Sequence, residues 1–145
     1  MNNPENIEPK IERVESETEQ VEQKFEKVKQ EIASLEAAIA SLNTKGDAKV
    51  AGALQHTLEQ KKAEEAEITA RASNILSKLE NIRREVKVVD QWNIEAQNQL
   101  SQLNGMDVSE AQSRVADRQR WVEQMDQQYN NLKQKLANIT NKSFG

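Results

Sequence analysis

Apolar residues recur along this chain in alternating steps of three and four. From 11 to 42 they fall at Ile11, Val14, Val21, Phe25, Val28, Ile32, Leu35, Ile39 and Leu42, with Thr18 holding the one polar place. Such steps put the side chains on one narrow stripe of an α-helix and mark the a and d positions of a heptad. A second unbroken frame runs through Ala51, Leu54, Leu58, Lys61, Glu65, Ile68, Ala72, Ile75, Leu79, Ile82, Val86, Val89, Asn93, Ala96, Leu100 and Leu103. A third runs through Val108, Ala111, Val115, Arg118, Val122, Met125, Tyr129, Leu132, Leu136 and Ile139. Between the frames lie "LNTKGD" and "LNGMDVSE". Gly46 and Gly105 suit the left-handed conformation that ends a helix, and Asp47 and Asp107 suit the cap of the next. Glu110 stands at capping-box spacing from Asp107. Pro9 suits the first turn of a helix. The pattern predicts helices over about 9–43, 48–103 and 107–141. Residues 1–8 are then a flexible N-terminus and 142–145 a tail.

Short turns make neighbouring helices antiparallel. Counting outward from each turn pairs Ile39 with Leu54, Phe25 with Ile68, Val89 with Val122, Val86 with Met125, Ile82 with Tyr129 and Leu79 with Leu132. At about 1.5 Å per residue the middle helix reaches roughly 85 Å and each outer one roughly 50 Å, so the outer two overlap beside 72–86. The expected fold is all-α: an elongated antiparallel coiled-coil rod whose long middle helix is shared by two hairpins, 9–80 and 81–141. Its three-helix core is Ala72, Ile75, Leu79, Ile82, Val86, Met125, Tyr129 and Leu132. Asn93 opposite Arg118 forms a polar layer of the kind that sets register. Lys61 and Glu65, opposite Ile32 and Val28, leave their part of the seam underfilled. Trp92 and Trp121 each stand one residue before a seam position, where a broad ring covers the seam edge as a packing anchor. Exposed, either ring would instead serve as a partner-binding anchor.

Composition narrows the function. Only 36% of the 145 residues are hydrophobic and 3% aromatic, while 30% are charged. That suffices for a helical seam and not for a thick globular core. The net charge of −4 argues against a primary nucleic-acid binder, and Arg83, Arg84 and Lys87 read as a solvated helix face. No cysteine is present, which accords with a reducing, cytoplasmic setting. No apolar run approaches the roughly 18 residues that span a bilayer, and "MNNPENIEPK" lacks the apolar core of a signal peptide. His56, the single histidine, faces outward with Glu59 three residues on, a poor metal pair. No nucleophile–base set or glycine-rich phosphate loop occurs. The expectation is a protein without enzymatic activity, metal or cofactor.

The stretch 86–139 resembles the first two helices of a spectrin repeat. "VVDQWNIEAQNQL" places Trp92 midway along the first helix, where that family carries a tryptophan. "GMDVSE" is similar to its short turn, and Val115, Trp121, Met125 and Leu132 to the rhythm of its second helix. The family runs the last helix of one repeat into the first of the next, which 48–103 resembles. Arg118 stands where the family often has histidine, and Leu58 stands near the place of its third-helix tryptophan. The resemblance implies a structural or scaffold module, a spacer or docking surface in a cytoskeletal or linker protein. Its partners would be neighbouring repeats or other scaffold proteins. The alternative is a free-standing homodimeric coiled-coil adaptor or effector that binds a partner helix.

Overall fold

The computed structural model describes residues 4–142, all but the turns in three α-helices: α1 (Pro4–Thr44), α2 (Ala48–Ser101) and α3 (Ser109–Lys142). The protein is all-α, with the helices packed on one another; no strand occurs among the described residues.

The first helix starts five residues before the expected place. Pro4 takes its first position, where a proline's missing N–H matters least, and Pro9 lies inside the helix. A proline there forfeits one backbone bond and costs about 3 kcal/mol. Ile7, with 0% of its surface exposed, extends the seam one step before Ile11. Burying it returns roughly 1.5–3 kcal/mol, which offsets most of that cost. Residues 4–8 are therefore helical rather than flexible, and only 1–3 of the expected N-terminal segment lie outside the described residues. At the other end Lys142 still belongs to α3; the remaining tail residues, 143–145, lie outside the described residues.

The first turn closes α1 with two reverse bonds. Asp47 N–H donates to the Leu42 carbonyl at 2.9 Å and Gly46 N–H to that of Asn43 at 3.2 Å. Gly46 takes φ +82° to allow them. The second turn departs from its expected form. The α2 helix ends at Ser101, tightening through Gln102 and Leu103 N–H bonds to the Gln99 and Leu100 carbonyls. Asp107 does not cap α3 through a capping box. Its carboxylate accepts from the Ser109 backbone N–H at 3.2 Å and from the Ser109 hydroxyl at 2.7 Å. These bonds hold the Asp107 carboxyl below its ordinary pKa. Val108 supplies the first helical acceptor, to Gln112 N–H, and Glu110 pairs with Arg114 at 3.1 Å. So α3 starts two residues later than expected.

The helices divide between two compact units: Met1–Ser16 with Leu76–Gln134, and Glu17–Ile75 with Lys135–Gly145. The division cuts all three helices. Each unit holds a segment of every helix. In the first, Glu8 and Lys10 of α1 reach Trp121 of α3 and Glu85 of α2. In the second, Phe25 and Glu22 of α1 share a small crevice with Lys135 and Ile139 of α3. Three-helix packing thus extends past the expected 72–86 at both ends. The five extra residues of α1, about 7.5 Å of helix, account for the extension in the first unit. The buried stripe of α2 widens to match, taking in Thr69 beside Ile68 and, in part, Arg83 beside Ile82 and Asp90 beside Val89.

Candidate interaction surface

The expected core is buried throughout. Leu79, Ile82, Val86, Met125, Tyr129 and Leu132 lie in the interior of the first unit, Ala72 and Ile75 in that of the second. Tyr129 also organises polar groups. Its hydroxyl accepts from Arg83 Nη1 at 3.1 Å and donates to Glu80 Oε1. The Arg83 guanidinium lies 4.5 Å from the ring centroid, a cation–π distance, and Lys133 Nζ stands 3.8 Å from Glu80. The hydroxyl's proton, and then Lys133 and Arg83, hold the Glu80 carboxyl below its ordinary pKa.

Asn93 is fully buried, but Arg118 is not its partner. The Asn93 amide donates to Gln119 Oε1 at 3.1 Å, while Arg118 is exposed. The facing pair is offset by one residue from the register counted outward from the turn. A guanidinium at Arg118 reaches water more easily than a buried amide, so the neutral glutamine takes the inner place. Asn93 Oδ1 has no hydrogen-bond partner among the described residues.

The two tryptophans differ. Trp121 is half-buried, and its indole N–H donates to Glu8 Oε1 at 2.8 Å, tying α3 to the start of α1. Trp92 is 46% exposed, so it is not the packing anchor expected. The register explains it. Lys10 pairs with Glu85, one heptad before Trp92 on the same flank of α2. Seven residues further along α2 correspond to seven back along α1, before Pro4, where the described helix begins.

Beyond that level only α2 and α3 remain in the first unit among the described residues. Ala96, Leu100, Val108 and Val115, all seam positions, are only half-buried there. Ile94 is 43%, Leu103 42% and Met106 66% exposed. Among the described residues five large apolar side chains are exposed, and Val50 alone lies outside 92–106. The stretch from Ala96 to Met106 carries no charged residue, in a chain that is 30% charged. A groove of 560 Å³ runs along this end, between Leu100 and Val115, lined also by Gln97, Gln112, Gln119 and Arg120. Sequence reasoning overlooked Ile94, Met106 and Gln119, although the charge gap was visible in the chain.

In the second unit Val28 and Ile32, expected opposite an underfilled layer at Lys61 and Glu65, are buried. Lys61 is drawn to acidic neighbours instead. Its ammonium lies 2.8 Å from Glu31 and 3.4 Å from Glu64, and crevices of 450 Å³ adjoin it on either side. The hydrogen bond with Glu31 raises the Lys61 pKa, and the same bond lowers that of Glu31. Leu35, Ile39, Leu42 and Leu54 are half-buried. His56 is exposed, 3.4 Å from Gln60 Nε2. Among the described residues there is no group of three or more His, Cys, Asp or Glu placed to hold a metal ion, and no helix long and apolar enough to cross a membrane.

No family model, curated protein or solved structure matches the chain.

Proposed function

We propose that this protein is a non-enzymatic structural or scaffold module, a helical spacer of spectrin-repeat-like character acting in the cytoplasm. Its docking surface is the apolar end of the α2–α3 hairpin. One observation carries the reading: the apolar side chains left in solvent are concentrated at 92–106, apart from the buried stripe that holds the helices together. Scattered single apolar residues need no explanation, but four at one hairpin end, which also holds a groove lined in part by the seam residues Leu100 and Val115, have the composition of an interface centre. A tryptophan at such a place has the makings of a binding hot spot.

A photo-crosslinking residue tests this when placed at Trp92 or Leu103 and, for comparison, at the exposed His56. Irradiation in the source cells yields discrete protein adducts from 92 and 103 and none from 56. Equal labelling at all three positions, or none at any, contradicts the docking role.

A further inference from the structure

We infer that Asn104 is a site of spontaneous deamidation, at which the turn between α2 and α3 converts a side-chain amide to aspartate and isoaspartate and gains a negative charge. The inference does not depend on the docking reading above.

Sequence and structure single out this residue independently. Asn104 is followed by Gly105, and no other asparagine in the chain precedes a glycine. It is also the one asparagine outside a helix among the described residues. In a helix the N–H of the following residue is committed to a carbonyl four residues back, and the helical ψ holds that nitrogen away from the side chain. Asn93 and Asn98 of α2 are in that state, as is Asn130 of α3. Asn104 is not. It and Gly105 are exposed, and among the described residues neither its amide nor the Gly105 N–H has a hydrogen-bond partner. Gly105 stands at φ +79°, and a Cβ at that position would meet nothing within 4 Å. The attacking nitrogen is therefore hindered neither by a side chain of its own nor by a packed neighbour, and the glycine backbone is free to turn towards the amide.

The reaction needs only water as co-reactant. The Gly105 nitrogen attacks the side-chain carbonyl carbon of Asn104 and loses its proton to solvent base. A C–N bond forms and closes a succinimide ring. The bond to the amide nitrogen breaks, and that nitrogen takes up a proton and leaves as ammonia. Water then opens the ring. Addition at the former side-chain carbonyl leaves aspartate. Addition at the main-chain carbonyl breaks the original peptide bond and leaves isoaspartate, with the chain running through the former side chain. No electrons are exchanged. Either product is ionised at neutral pH, so a charge enters 96–106, which has none, beside the exposed Leu103 and Met106.

Ageing the folded full chain in neutral and in mildly alkaline buffer tests this. Trypsin releases 88–114, which carries Asn93, Asn98 and Asn104 together, so one fragmentation spectrum compares all three. The mass gain from NH2 to OH appears at Asn104 and not at Asn93 or Asn98, and its rate rises in proportion to hydroxide. Isoaspartate is the larger product, read by methyl transfer from S-adenosylmethionine with an isoaspartate-specific carboxyl methyltransferase. Asn104→Gln, whose ring closure would need one more atom, abolishes methyl acceptance with far-UV circular dichroism unchanged. The isolated peptide 88–114 is the unfolded reference. Asn104 that stays intact in the folded chain while the peptide converts overturns the inference. So does equal conversion at Asn93 or Asn98, aspartate formed without isoaspartate, or methyl acceptance that survives Asn104→Gln.

Discussion

Leu79→Ala and Leu100→Ala remove the same atoms from the same helix, and the structure assigns them different costs. Leu79 is 0% exposed in the three-helix part of the first unit. The change removes three methylene equivalents, worth about 0.8 kcal/mol each, or roughly 2.4 kcal/mol of lost burial. The space left is enclosed by α2 and its neighbours, so a cavity contribution adds to this and brings the expected loss to about 3–5 kcal/mol. Leu100 is half-buried and lines an open groove. About half the burial is lost there, and water fills the space, which gives roughly 1 kcal/mol. Urea unfolding followed by circular dichroism measures both, with the m-value checked for constancy. Losses within about 0.5 kcal/mol of each other would refute the claim that α2 passes from a three-helix interior to an unfilled two-helix end.

Trp121→Phe should lower stability by about 1 kcal/mol through loss of the bond to Glu8, whereas Trp92→Phe should be neutral. In single-tryptophan variants of dilute protein, Trp92 should emit further to the red and be quenched more readily by acrylamide than Trp121. Glu80 should make the fold acid-sensitive. Its folded pKa lies below the unfolded value, so its contribution is complete above the unfolded pKa, about 4.3, and is lost as pH falls through the folded pKa. Tyr129→Phe removes the leading cause of that shift, so thermal melts between pH 7 and pH 3 should fall less steeply in the variant than in the wild type.

Most of the helical frame was legible because a heptad is a local pattern. Each helix could be phased on its own, and glycine marked both turns. The register was legible to within a residue, enough to bury Leu79, Tyr129 and Leu132 but not to choose Gln119 over Arg118. One residue on a helix turns the side chain by about 100°, and that choice is decided by desolvation across the pair. The start of α1 was misjudged because Pro9 is a strong local signal, while the burial of Ile7 depends on a neighbouring helix. The exposure of Trp92 was equally beyond the reach of a local pattern. Where α1 ends determines whether that ring is covered, and no pattern within α2 carries the information. The exposed apolar end was partly legible: the charge gap at 96–106 lies in the sequence, but the exposure of Trp92, Ile94, Leu103 and Met106 depends on what packs beside them.

Amide hydrogen exchange, read by mass spectrometry on the dilute chain, tests the central claim most directly. Within one unit an underpacked hairpin end lies next to a well-packed three-helix interior. Amides at 96–101 and 109–116 should exchange with the least protection of any helical segments in that unit, and those at 78–89 and 122–132 with the most. Protection at 96–101 equal to that at 78–89 would contradict it.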